Sequence, residues 1–317
     1  MLKCVLKTLG LLFLVPVAAF SQQNPQYSQY NVNPFLLNPA IAGSTTFLEM
    51  RTGYRSQWGN FPDAPKTFFL TGHAPLGKVD PTYIKYVPNH HGVGGQIISD
   101  VTGPLSQTGV LANYSYHQVI KKGLYLSLGM GLGFKQYGID RDKLNPGEEG
   151  DVVIAAAKNS FKPDINVGAY LYSNRFFAGA SVHQMAGGNA VIRSGEVLRL
   201  DQLYMHFFAM AGYRWKLDRD WNLLGTVVLK HMRPAGLHVD VNVKWEYKDL
   251  LMMGVGYRHG DAISGLIGLQ LPNSLFVSYT YDYILSEITA FTHGSHEVMI
   301  GMDIQVMKDV LCPKRFW

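Results

Sequence analysis

From Thr46 onward the chain alternates apolar and polar residues in runs of ten to fifteen. A strict period of two is the mark of a β-strand whose two faces meet different surroundings. Leu275, Val277, Tyr279, Tyr281 and Tyr283 share one face, with Ser278, Thr280 and Asp282 on the other. Leu237, Val239, Val241, Val243 and Trp245 alternate in the same way with His238, Asp240, Asn242, Lys244 and Glu246. Helical spacing fits neither run. Segments of this kind predict about 14 strands: 46–57, 66–76, 91–101, 107–120, 124–137, 161–172, 175–185, 203–217, 221–232, 237–247, 251–259, 262–271, 275–285 and 296–307. Strands of soluble sheets run to about five or six residues, whereas about ten tilted residues cross a bilayer. The fold class expected is therefore all-β: a transmembrane, outer-membrane antiparallel β-barrel over 46–307, with an irregular N-terminal segment.

The connections alternate in length. Tight turns at 121–123, 173–174, 218–220, 248–249 and 272–273 share one end, and longer connections at 138–160, 186–202 and 286–295 fall between them. Short periplasmic turns and long outer loops are the outer-membrane pattern, and an even strand count places both termini in the periplasm. Two connections break the rule: 77–90 is long where a short turn is due, and 260–261 is tight where a loop is due.

Composition separates this barrel from a soluble β-sandwich. Charged residues are only 16% of the chain and apolar residues 47%, with 33 Gly, 18 Tyr and 16 Phe; soluble domains carry about 25% charge. A sandwich would show a wet face rich in Lys and Glu. Here the polar face holds Gly, Ser, Asn, Tyr and His, as a packed or wetted lumen does. Trp58, Trp215, Trp221 and Trp245 near strand ends fit an interfacial aromatic girdle.

At the N-terminus Lys3 and Lys7 precede an apolar run over 9–20, and Ala19 and Ser21 put small residues at the minus-three and minus-one positions of a cut before Gln22, so residues 1–21 read as a secretory signal peptide. Cys4 leaves with it, which makes Cys312 a lone thiol without an intramolecular partner. Removing Lys3 and Lys7 from 28 cations leaves 26 against 23 acids, a net charge near +3. No basic cluster marks a nucleic-acid partner.

Residues 22–45 are rich in Asn, Gln, Pro and Tyr and do not alternate; Pro25, Pro34 and Pro39 argue against a strand or stable helix. Tyr27, Tyr30, Phe35, Leu36 and Leu37 are costly to leave in water, so the segment is expected to pack, as a luminal plug or a periplasmic strap. On the inward face the alternation collects Glu49, Arg51, Arg55, His73, Asp164, Asn166, Asp240, Asn242, Arg258, Asp282 and Glu297, a candidate polar network of the lumen. No serine-nucleophile elbow, zinc-protease helix, paired Cys-x-x-Cys or phosphate-binding glycine loop occurs. The expectation is a non-enzyme without cofactor or metal.

A series of strings then carries a resemblance: QYSQY (26–30), NPAIAGS (38–44), YRSQW (54–58), PKTFFLTGHAPL (65–76), SDVTGP (99–104), NYSYH (113–117) and DINVGAYLYS (164–173). Gly179, Ser181 and His183, GYRHGDA (256–262), YTYDY (279–283), GSHE (294–297) and CPKRFW (312–317) complete it. In this order they resemble the PorP/SprF family, membrane proteins of the Bacteroidetes type IX secretion system. The resemblance implies an outer-membrane barrel that helps the system handle cargo. Partners so implied are other type IX components and a secreted adhesin-type protein, including adhesins of gliding motility. It brings no catalytic residues. The tail, 308–317, extends past the last strand, and Phe316 and Trp317 are a candidate assembly signal or periplasmic docking element. The polar lumen leaves a second reading open, a channel or transporter for small or amphipathic solutes.

Overall fold

The computed structural model describes residues 26–76, 88–140, 143, 160–186, 204–232, 236–271 and 274–305. The proposed signal peptide, Cys312, Phe316 and Trp317 lie outside them.

Alternation becomes fourteen antiparallel strands: β1 (Phe47–Ser56), β2 (Lys66–Leu76), β3 (His90–Thr102), β4 (Leu105–Lys121), β5 (Leu124–Ile139), β6 (Ser160–Ser173), β7 (Phe176–His183), β8 (His206–Lys216), β9 (Trp221–Met232), β10 (Gly236–Tyr247), β11 (Leu251–Arg258), β12 (Ala262–Gln270), β13 (Leu275–Ile284) and β14 (Ser295–Gln305). Each pairs with its chain neighbours, and β1 closes on β14 from Phe47↔Gln305 to Ser56↔His296. Closure leaves no edge strand, so the ladders satisfy the backbone without water. Every strand expected from the sequence is present, with ends displaced by three residues at most.

The outward face is an apolar band of residues such as Met50, Phe68, Leu128, Met130, Leu132, Val255, Ile267 and Ile300. Its Lys and His positions in the described strands, Lys66, His91, Lys121, His231 and His296, all lie within two residues of a strand end, and the same face carries no Arg, Asp or Glu in those strands. A girdle marks one margin of the band: Tyr213 packs on Trp215 and Trp221 on Tyr247, at 4.8 and 4.7 Å between ring centroids. Lipid is the one solvent that suits such a surface.

The rim where β1 begins and β14 ends (the terminal rim) carries the tight connections 122–123, 174–175, 217–220, 248–250 and 271–274, together with the long 77–89. Local chemistry closes these turns. Lys248 and Asp249 both take positive φ, as a turn matched to strand twist requires. Asp218 Oδ1 accepts from the N–H groups of Asp220 and Trp221 at 2.7 and 2.9 Å. At the opposite rim (the loop rim) long connections are mixed with tight ones at 103–104, 233–235 and 259–261. The alternation of lengths expected from the sequence therefore holds less well on that side.

Inside, the inward faces do not stay polar throughout. Phe69, Tyr125, Tyr170, Tyr172, Phe177, Leu224, Phe276 and Met299 form a buried cluster with Tyr27, Tyr30, Phe35, Leu36, Leu37 and Ile41 of the N-terminal segment.

Candidate functional site

The N-terminal segment lies within the barrel, not across its rim as a strap. Two short 3-10 turns, Pro34–Leu36 and Pro39–Ile41, shape it, and Asn38 caps the second by accepting from the N–H of Ala40 at 2.9 Å. Proline at the first position of each turn supplies the required φ and withholds an N–H that has no partner there. Gln26 and Ser28 sit at the loop rim, beside Arg258 and Glu297; the segment then crosses the lumen and leaves at the terminal rim, where Phe47 opens β1. An even strand count places the start of β1 and the end of β14 together, but it does not place the residues that precede them. Gln26 is at the opposite rim.

A backbone that is neither helix nor strand must find its hydrogen bonds elsewhere. Inward side chains supply them. Gln96 donates to the Phe35 carbonyl at 2.7 Å, and Ser181 and His183 reach the Leu37 carbonyl at 2.5 and 2.8 Å. Asn38 donates to the Ala169 carbonyl at 3.0 Å. Ser127 donates to Ala40, Ser115 and His117 to Ala42, and His90 to Gly43, at 2.5 to 3.0 Å. Each histidine faces a carbonyl, which only accepts, so the facing nitrogen carries the proton. Two wall positions must be glycine for the approach: a Cβ at Gly168 would overlap the Asn38 amide, and one at Gly92 the Ala42 carbonyl.

The eleven residues expected to form a luminal polar network are all buried on the inward face, and they fall into three groups. In the largest, Arg55 donates to Asp282 at 2.7 Å, to Ser28 Oγ at 2.6 Å and to Glu297 at 3.3 Å. Ser28 completes the ring, its N–H donating to Glu297 at 2.7 Å and its hydroxyl to Asp282 at 2.6 Å. Gln29 adds bonds to both Glu297 and Ser278. Arg258 bridges Asp261 at 2.9 Å, Ser28 at 3.2 Å and Asp240 at 3.6 Å, and Asp240 pairs with Lys230 at 2.6 Å. Asn242 donates to the Tyr30 hydroxyl, and Lys230 lies over the Tyr30 ring. Burial, reinforced by Asp100 and Glu297, pushes the Tyr27 phenol well up; burial and Asp240 do the same for Tyr30, so both stay neutral.

The second group, nearer the terminal rim, joins Arg51 to Asp303 at 2.6 Å and to Glu49 at 3.7 Å, with His73 also 3.7 Å from Glu49. His73 Nδ1 accepts from the N–H of Gly43 at 3.3 Å. The third is on β6. Asp164 pairs with Lys135 at 3.4 Å, and Asn166 accepts from the N–H of Gln184 at 3.0 Å. Sequence reasoning singled out none of Ser28, Gln29, Ser115, Ser127, Lys135 or Lys230 as a site residue. Parity along the strands would have shown that the wall members face inward; nothing local shows Ser28 meeting Arg55.

Solved structures that resemble the chain are outer-membrane barrels. The Acinetobacter baumannii outer membrane protein Omp33 is 8% identical, over 82% of this chain and 99% of its own, with a TM-score of 0.43. A triple mutant of the Rhodopseudomonas blastica porin is 10% identical over 81% and 99%, with a TM-score of 0.35. Haemophilus ducreyi BamA lacking POTRA domains 1–3 is 9% identical over 81% and 70%, with a TM-score of 0.41. No curated protein matches the chain. A family model does, over residues 19–302, and its description is type IX secretion system membrane protein PorP/SprF. The family strings of the sequence are also the places where wall and segment meet: QYSQY supplies Ser28 and Gln29, NPAIAGS supplies Asn38, Ala40, Ala42 and Gly43, and YRSQW, YTYDY and GSHE supply Arg55, Asp282 and Glu297. The chain, a closed β-barrel, belongs to the PorP/SprF family of type IX secretion system membrane proteins.

Proposed function

We propose that this barrel is an accessory component of the type IX system that supports the secretion or surface attachment of a specific cargo protein, such as a large adhesin, with gliding motility as one setting. The reading rests on family membership, a family of secretion-system membrane proteins and not of enzymes. One observation favours it over a solute channel. The segment's buried residues, among them Tyr27, Phe35, Leu37 and Ile41, occupy the lumen and bond to strands on all sides of it. The luminal charge groups then act as braces that hold the segment. Both strand ends at the terminal rim are taken to face the periplasm, with the tail at 308–317 available there to other type IX components.

Deletion of the gene is the direct test. One or a few surface proteins should disappear from intact cells while uptake of small solutes is unchanged. Normal surface display of every type IX cargo in the deletion strain would overturn the proposal, and loss of solute uptake alone would favour the channel.

A further inference from the structure

The two rims differ in charge. At the terminal rim, the consecutive turns β4–β5, β6–β7, β8–β9 and β10–β11 and the strand ends beside them expose Lys121, Lys122, Arg175, Lys216, Arg219 and Lys248. Against these six cations the same turns hold three acids, Asp218, Asp220 and Asp249. Two of the acids are engaged locally: Asp218 closes the β8–β9 turn by accepting from the N–H groups of Asp220 and Trp221, and Asp220 pairs with Lys248 at 3.7 Å. Among the described residues no ion pair reaches Lys121, Lys122, Arg175, Lys216 or Arg219. The loop rim has the opposite balance, with Asp63, Asp140 and Glu287 exposed against Lys66 and Lys143.

Neighbouring strands are about 4.8 Å apart, so successive turns of one rim stand about 10 Å apart. Closure sets β4 to β11 side by side, and the cations therefore follow a crescent along those strands. Depth decides what the crescent can meet. Each cation group borders an outward side chain of the lipid-facing band: Ile120 beside Lys121, Phe176 beside Arg175, Trp215 beside Lys216, and the packed pair Trp221 and Tyr247 beside Arg219 and Lys248. The Lys248 ammonium lies 5.2 Å from the centre of the Tyr247 ring. Trp and Tyr settle at the level of lipid head groups. Cations next to them stand at phosphate level, within the short range over which an anionic membrane surface attracts Lys and Arg.

We propose that this crescent is a binding surface for anionic glycerophospholipid head groups, of the phosphatidylglycerol type, in the leaflet at the terminal rim. The long Lys and Arg stems reach lipid phosphates from the turns, while the aromatic rings remain in the band. An acidic protein would meet the rim end-on, and such a contact has no use for a lipid-facing ring beside the cations. Binding of this kind needs neither the orientation nor the cargo proposed above.

Tryptophan quenching tests this on the full-length barrel in phosphatidylcholine vesicles, because Trp215 and Trp221 lie within the crescent. Acyl-brominated phosphatidylglycerol should quench at least twofold more than acyl-brominated phosphatidylcholine at the same mole fraction, and high salt should remove most of that excess. The double variant Lys216→Gln, Arg219→Gln should remove most of it as well. Lys66→Gln with Lys143→Gln takes the same charge from the loop rim and should leave the excess intact, with heat-modifiable gel mobility confirming that each variant is folded. Equal quenching by the two lipids in the unaltered protein overturns the proposal and leaves the crescent to an acidic protein partner. An excess that survives the crescent variant, or that falls as far in the loop-rim variant, overturns it too, since the preference then lies elsewhere or in net charge alone.

Discussion

Arg55 shows how a residue ordinary in the sequence becomes central in the fold. Its partners Asp282 and Glu297 are 227 and 242 positions away, and its third partner, Ser28, belongs to the segment that the wall encloses. Removing one member of such a buried group strands the others, at a cost of about 3–5 kcal/mol. Arg55→Ala should therefore lower the temperature at which the unheated gel form converts to the unfolded one, far more than Lys66→Ala at the exposed start of β2. Equal shifts would mean that the group is structurally idle. Strand parity made the inward orientation of Arg55, Asp282 and Glu297 legible. Their mutual contact was not, because parity says which face a side chain takes and nothing about which distant strand lies across the lumen.

The strands and the N-terminal segment differ in how they are encoded. Each strand repeats its signal over about ten residues or more, and its turns carry their own chemistry, so β2 and β9 have the boundaries expected from alternation alone. The segment has no period. Its prolines and exposed-looking aromatics announced ordered packing, but only the wall, through Gln96, Ser115, Ser127, Ser181 and His183, supplies its hydrogen bonds. In planar bilayers the intact barrel should be silent, and a variant lacking residues 27–45 should conduct. Should that variant fail to fold, Ser127→Cys in a Cys312→Ser background gives the same answer: in the intact protein it should resist a small thiol reagent, because Ala40 covers it. Rapid modification, or conduction by the intact barrel, would mean that the segment does not seal the lumen.

At the scale of the whole molecule, a closed sheet with lipid outside and a filled lumen inside explains a mean hydropathy of zero: it averages an apolar band and a largely polar interior. The proposed orientation is open to a direct check. In the Cys312→Ser background, a cysteine at Asn174 on the terminal rim should be silent to a membrane-impermeant reagent in intact cells, and one at Gly260 on the loop rim should react; the reverse pattern inverts the barrel. Fourteen strands, their faces and the family were determined by sequence, because alternation and short motifs are properties of neighbours along the chain. The three charge groups and the path of Gln26 to Thr46 from one rim to the other were decided by tertiary structure alone. Each of these depends on which strands closure brings opposite one another, and that is a long-range consequence of register which no local stretch contains.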